Sequence, residues 1–406
     1  MLSEISALQS TNTTLESIDL SQQAFFVSGT RCLVTQRPHH RFTTQIKDHD
    51  VLVSQLKREL AKCSSNDAIA FGVLPFCKTQ QAQFIVTEQA HQYDKETFKQ
   101  WLNAKGTLKQ DTMPSLERIS HRQSQHHYES AIREAKKLFA KEQLEKIVLG
   151  KQVDLYFDAP LSPETILTNL LTQSPSGFHF SFPTEQNSTL MGVSPELLLR
   201  KHGQAVLSNP LAGSAKRSND KATEFKLKQA LMASKKDRYE HAVVLVEMSQ
   251  VLQPWCQKLT IPSSPSLLST ATMWHLSTEV EGQLADANTH VLALANRLHP
   301  TPALCGKPTA DAYPWIHSLE GESRDFFSGI VGWCDKHGNG EWVVVIRSGE
   351  ISANHARLFA GAGIVAASDP TAEWLETEAK LSTMLNALES NQTYHQLSQI
   401  KMRATA

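Results

Sequence analysis

The chain has 406 residues, 40% of them apolar and 20% charged, which suits a globular protein with a sizeable core, built as one large domain or two ordinary ones. Its formal net charge is −1, which excludes a global field drawing it to nucleic acid or a membrane surface. Any anion it binds must be held by a few placed groups. Six cysteines occur without a CxxC pair, so reduced, mostly buried thiols of a cytoplasmic protein are expected. The start, MLSEISALQSTNTTLESIDL, has neither a basic n-region nor an apolar h-region, so no secretory signal is read there. No run of 18 apolar residues predicts a membrane span.

In chain order, QAFFVSG, AIAFGVLPF and AQFIVTEQ read as strands. Residues 45–63 read as a helix, with Ile46, Val51, Leu52, Leu56 and Leu60 near helical spacing. Residues 110–127 read as a polar connector. ESAIREAKKLFAKEQLE is an amphipathic helix, and KIVLGKQVDLYF is the strand after it. GFHFSFPT, TLMGVS, ELLLRKHGQAVLS and LTIP read as further strands. One long helix is predicted over 219–252, and another opens at THVLALANRLHP and stops at the proline. Residues 326–365 form a run of strands, with KHGNGE a hairpin turn. The last long helix starts at SDPTAEW, where Asp369 suits the N-cap and Pro370 the first helical position. The expected fold class is mixed α+β, with large antiparallel sheets and helices outside them.

Asp237, Glu240 and His241 share one face of a predicted helix, and Glu373, Glu376 and Lys380 share one face of another. Taken alone, these stripes read as solvated surface with a Glu376–Lys380 pair. Taken together, two helices with acids in line could face each other across a site. Mg²⁺ commonly takes one or two carboxylates plus waters and an anionic substrate. Lys146 opens a strand; it is either an exposed strand end or a buried lysine able to act as a base. Glu196 is either a turn acid or a carboxyl in a poorly hydrated place, kept protonated to serve a leaving hydroxyl. The segment NPLAGSAKR is either a plain loop or a turn whose Gly213 and Ser214 amides hold a carboxylate. Arg347 ends an apolar strand and should meet an anion. His275 reads as a core histidine or a site residue, and Cys305 as structural. FAGAGIV places two glycines in an apolar stretch, where a turn or close approach to a non-protein group would explain them. No P-loop, HExxH, GxSxG or spaced GxGxxG motif is present.

The ordered set KIVLGK, MGVSPELLLRK, NPLAGSAKR, SKKDRYEH, SSPSLLSTATMWHLST, LHPTPALCG, GIVGWCDKHGNGEWVVVIR, LFAGAGIV and EWLETEAKL resembles the chorismate-utilising enzyme family. The likeness is dense over about 125–385 and extends weakly upstream through AFGVLPF. It is strongest to isochorismate synthases of the 2,3-dihydroxybenzoate, catechol-siderophore type. The resemblance implies a single large domain like anthranilate synthase component I. Residues 1–115 would be a divergent N-terminal part of that fold, 116–390 the chorismate-binding catalytic region and 391–406 a C-terminal tail.

It also implies roles. Glu240 and Glu376 match the Mg²⁺ carboxylates, and Asp237 and Glu373 match acids that hold the metal's waters. Lys146 matches the base that activates water for attack at C2, and Glu196 the acid that protonates the departing C4 hydroxyl. Gly213 and Ser214 match the turn near the ring carboxylate. Arg347, Gly361 and Lys380 match groups around the substrate carboxylates, chiefly on the enolpyruvyl arm, with Gly361 offering its backbone N–H. His275 and Phe327 match site-lining positions. Ala212 stands where aminodeoxychorismate synthases carry a nucleophilic lysine, and Lys146 is a lysine that anthranilate synthases lack. Ala303 and Leu304 stand where salicylate synthases tend to carry Thr-Ala, which favours stopping at isochorismate. The implied partner is chorismate, without nucleic acid, membrane or obligate glutaminase subunit, and the chain is expected to be a monomer. A salicylate synthase, an isochorismate synthase serving menaquinone, a non-catalytic chorismate-binding or scaffold protein, and the synthase subunit of an amidotransferase complex, against which Ala212 and Lys146 argue, are the competing readings.

Overall fold

Alternation along the central strands builds a four-layered molecule. The computed structural model describes residues 18–37, 39–109 and 113–404. In the strand Ile69–Leu74, Ile69, Phe71 and Val73 point into one core, while Ala70 and Leu74 point into another. Val343 and Val345 likewise oppose Trp342 and Val344. Such strands are apolar on both faces because both faces are covered. The shared core holds Phe26, Phe180, Phe182 and Leu190 of one sheet against Phe71, Val73, Val331 and Val343 of the other.

The first sheet has ten strands. Its path runs Gly306–Lys307, Lys146–Phe157, His355–Ile364, Ser348–Ser352, Thr189–Ser194, Phe178–Pro183, Phe25–Ser28, Arg31–Thr35 and Ala90–Asp94, and Leu116–His121 also pairs with Lys146–Phe157. The second has nine strands and includes Ile69–Leu74, Gln81–Thr87, Leu197–His202, Ile330–Asp335 and Gly340–Val344. A small third sheet joins Leu211–Lys216, Met273–Ser277 and Ser266–Ser269. The strand pairings among the described residues are antiparallel, as the patterning predicts. Helices His49–Ala61, Lys235–Leu252 and Val291–Leu298 cover the outer face of the nine-stranded sheet. Helices Pro163–Gln173 and Pro370–Ala387 cover the ten-stranded one. Strands from the first 115 residues enter both sheets.

The helix Pro370–Ala387 starts as its sequence dictates. Asp369 accepts from the Ala372 N–H at 2.9 Å, with Pro370 first in the helix. The predicted helix over 219–252 is instead two helices, Lys221–Ala233 and Lys235–Leu252. Ser234 (φ −65°, ψ 115°) ends the first and caps the second, accepting from the Asp237 N–H at 3.2 Å. The serine side chain replaces the helical partner of that N–H, which lets the chain turn there. Within the polar connector, Leu116–His121 is a strand, anchored by buried Leu116 and Ile119. Helix Thr309–Glu320 carries Pro314 in its interior, a residue that argues against helix in a sequence reading. The six cysteines are free, and only Cys77 is partly exposed. No helix of the described residues is long and apolar enough to cross a membrane.

Candidate active site

The strand FAGAGIV explains its own glycines. It belongs to His355–Ile364, which pairs with Lys146–Phe157 so that Gly361 faces Gly150 and Gly363 faces Val148. Residues two apart share a strand face, so Gly361 and Gly363 open one side. A Cβ on Gly363 would overlap Glu240 Oε1, stand 3.0 Å from its Cδ and 3.1 Å from Lys146 Cε. The glycine is therefore space for a carboxylate and an amine. Gly361 makes its polar contact through its carbonyl, which accepts from Lys380 Nζ at 2.7 Å.

Around this strand lies a cavity of about 700 Å³, its open mouth included, lined by Glu196, Gly213, Ser214, Glu240, His275, Ala303, Leu304, Phe327, Arg347, Gly361, Glu376 and Lys380, among others. Of the residues nominated from the sequence, Lys146, Asp237 and Glu373 lie outside this lining. Lys146 is directly behind Glu240, wholly buried, with Nζ 2.9 Å from Glu240 Oε1. That contact is close enough for an ion pair, yet Nζ has no hydrogen-bond partner of good geometry. Asp237 sits one helical turn before Glu240, and Glu373 one turn before Glu376.

The two acid stripes do converge. The four carboxylates feel one another and are balanced by three ammonium groups. Lys146 pairs with Glu240, Lys236 with Glu373 at 2.6 Å and Lys380 with Glu376 at 2.7 Å. Ser214 Oγ donates to Glu376 Oε1 at 2.7 Å. Burial pushes the Asp237 carboxyl up, helped by Glu240 and Glu376, against the Ser234 hydrogen bond. Burial and the neighbouring Glu376 likewise push Glu373 up, against Lys236. For Glu376 burial acts upward too, but Lys380 and Ser214 outweigh it and hold this carboxyl below its ordinary value. Lys236 is held above the usual lysine range: its own burial opposes this, and the acids around it prevail.

NPLAGSAKR is a bulged strand, not a turn. Register slips between Ala212 and Ser214, and Gly213 takes φ +77°. A Cβ there would meet Asp237 Cβ at 2.7 Å, so glycine lets this strand touch the acid helix. Glu196 is 3% exposed. Burial raises its carboxyl to about 7, against the Leu211 N–H and the charges of Lys146 and Lys380. It is thus poised to carry a proton near neutrality. Arg347 sits at φ +53°, and burial lowers its guanidinium to about 10. Its Nη2 lies 3.1 Å from His275 Nε2, while its Nη1 has no partner. Burial, then Arg347 and Lys380, keep His275 well below the usual imidazole range, so it is neutral and Nε2 accepts from the guanidinium. A buried cation facing a cavity without a protein carboxylate on its hydrogen-bonding edge suits an anionic ligand.

No set of three or more His, Cys, Asp or Glu side chains forms a ready-made metal cage among the described residues. Mg²⁺ does not require one, since waters and substrate oxygens complete its shell. Glu240 and Glu376, both in the cavity lining, with Asp237 and Glu373 one helical turn before them, fit that donor set. Gly363 is one of the two FAGAGIV glycines that the sequence explains by a turn or a non-protein group; the groups it makes room for are Glu240 and Lys146 of the protein itself. Lys236 is not singled out by the sequence, because its partner is 137 residues away.

Comparison with known proteins agrees with this geometry. The profile of the family described as chorismate binding enzyme matches residues 29–389, and the chain belongs to that family. Isochorismate synthase EntC of Escherichia coli (strain K12) is 38% identical over 369 residues, 89% of this chain and 93% of EntC. Isochorismate synthase DhbC of Bacillus subtilis (strain 168) is 38% identical over 347 residues, 83% of this chain and 84% of DhbC. A crystal structure of DhbC from Bacillus anthracis, described as a 2,3-dihydroxybenzoate-specific isochorismate synthase, matches with a TM-score of 0.83 at 35% identity, covering 93% of this chain and 98% of that one.

Proposed function

We propose that this chain is an isochorismate synthase that converts chorismate to isochorismate, of the type that feeds 2,3-dihydroxybenzoate and siderophore biosynthesis. The observation that carries the reading is the pairing of a wholly buried Lys146 with a buried, proton-holding Glu196 around a cavity that also carries Glu240, Glu376 and the free edge of Arg347. Glu240 and Glu376 would hold a Mg²⁺ ion, with Asp237 and Glu373 steadying its waters. The ion would neutralise the ring carboxylate and align the substrate. Arg347, Lys380 and Gly361 bind the substrate carboxylates, chiefly the enolpyruvyl arm. Gly213 and Ser214 lie at the ring carboxylate, and His275, Phe327, Ala303 and Leu304 shape the pocket.

Rotation of the Glu240 side chain off Nζ opens Lys146 to the cavity. Lys146 takes the proton of a water that attacks C2, the ring double bonds shift, and Glu196 gives its proton to the departing C4 hydroxyl. Residues 116–390 form the catalytic region, 1–115 the divergent part of the same fold and 391–406 a tail. The enzyme works alone on chorismate, as a cytoplasmic monomer without a glutaminase. The test is purified protein with chorismate and Mg²⁺, without ammonia, and products separated by chromatography. Isochorismate alone is expected. Salicylate with pyruvate would move the chain to the lyase branch, and chorismate bound but unconverted would make it a non-catalytic binder.

A further inference from the structure

The strand Lys146–Phe157 is paired along one edge with His355–Ile364. Its other edge is laddered by Gly306 and Lys307 at the start and by Leu116–His121 further on, and between them the Val148 N–H donates to Cys305 O at 2.7 Å and the Arg122 N–H to Gln152 O at 3.1 Å. Side chains take the remaining groups of this stretch. Arg324 Nη2 donates to Val148 O at 2.8 Å. The Gly150 N–H donates to Glu320 Oε1 at 2.6 Å, and the Gln152 N–H to Gln123 Oε1 at 3.0 Å.

Arg324 is the hub of this repair. It is 4% exposed, and it grips Glu320 through Nε at 2.9 Å and through Nη2. Its Nη1 donates to Leu304 O at 2.8 Å, and its guanidinium carbon lies 5.6 Å from the Phe327 ring centre. Val148, Leu304 and Phe327 all line the cavity, while Arg324 and Glu320 do not. One buried guanidinium thus ties two pieces of cavity wall together from behind, at Leu304 and Val148, and packs over the Phe76 ring at 4.4 Å. Buried ion pairs are a poor source of stability, since well-packed apolar residues often do as well. What the planar fork supplies is fixed geometry between two carbonyls.

Resting on the isochorismate synthase reading, we infer that Arg324, braced by Glu320, is a positioning residue for product specificity. It sets the distance of the Ala303–Leu304 wall from the strand that carries Lys146. That spacing holds the ring so that isochorismate leaves intact. In the competing step the C3–O bond of isochorismate breaks, the C2 hydrogen moves to the enolpyruvyl methylene carbon, and salicylate and pyruvate depart, with no further reactant. A wall free to shift lets the enolpyruvyl arm fold toward C2 and admits this step.

The experiment is a steady-state assay of Arg324→Lys, which keeps the charge and loses the fork. Pyruvate is followed with lactate dehydrogenase and isochorismate by chromatography. KM for chorismate should rise about tenfold with kcat changed less than about threefold, and the pyruvate-to-isochorismate ratio should rise about fivefold or more. Glu320→Gln, which keeps an acceptor for the Gly150 N–H, should move both readouts the same way by smaller factors. It also serves if circular dichroism shows Arg324→Lys to be unfolded. A merely structural role lowers the active fraction, hence kcat, and leaves KM and the ratio alone. Wild-type KM and ratio in the folded variants overturn the inference, as does failure of both variants to fold. Wild-type protein that makes no isochorismate overturns the functional reading instead.

Discussion

Two buried ionic clusters flank the strand Lys146–Phe157, and they are finished differently. In Glu320–Arg324 every guanidinium nitrogen donates, to a carboxylate or to the Leu304 and Val148 carbonyls. At the cavity, Arg347 Nη1 is buried without a hydrogen-bond partner, and behind its wall Lys146 Nζ lies 2.9 Å from Glu240 Oε1 in an ion pair without good hydrogen-bond geometry. Leaving such groups unsatisfied costs stability. The contrast separates charge that positions from charge that waits for a ligand. The first closes its own hydrogen bonds within the protein; the second leaves them open toward substrate, metal or water.

The largest effects that would break this contrast are catalytic. Lys146→Ala and Glu196→Gln should each lower kcat by about 10²–10⁴-fold with an unchanged circular dichroism spectrum. Near-wild-type turnover in either would remove the acid–base assignment. Next comes stability. Arg324→Met leaves Glu320 buried and unpaired and should lower unfolding free energy by about 3–5 kcal/mol in urea titration. Arg347→Met deletes a cation that has no carboxylate partner in hydrogen-bond contact, so its urea midpoint should hold or rise while chorismate KM increases. Equal destabilisation by the two changes would erase the distinction.

A smaller effect is pH dependence. Folding raises the Glu196 carboxyl from 4.5 to about 7, so between those values the native chain binds the extra proton. Stability from this group therefore falls as pH rises from about 4.5 through about 7, and Glu196→Gln should flatten that slope. The alkaline limb of kcat/KM should fall with an apparent pKa near 7, because the acid must enter protonated. The smallest change is expected from Ala303→Thr, which should raise pyruvate release modestly in the coupled assay. No change would mean that this pocket position does not govern the partition.

The sheets and their outer helices were legible because period-2 and period-3.6 patterns survive locally. The acid stripes were legible as faces, and the expectation that they could face each other across a site matches the mutual influence of Asp237, Glu240, Glu373 and Glu376. Gly363 makes room for Glu240 and Gly213 for Asp237, and both approaches are set by the fold. The break at Ser234 was hidden by helix-favouring residues on both sides, and the strand Leu116–His121 by its polar outer face. The helix Thr309–Glu320 was masked by Pro314. Arg324 gave no sign in the sequence, since its partners at Val148 and Leu304 are backbone carbonyls brought there by the fold.

The central claim is that Lys146 activates a water for addition at C2 while the C4 hydroxyl is lost. Turnover of chorismate in ¹⁸O-labelled water, with the product analysed by mass spectrometry, tests it most directly. The account predicts one ¹⁸O in isochorismate, located in the C2 hydroxyl. Unlabelled isochorismate would mean that the hydroxyl migrates within the substrate, and Lys146 would then have no water to activate.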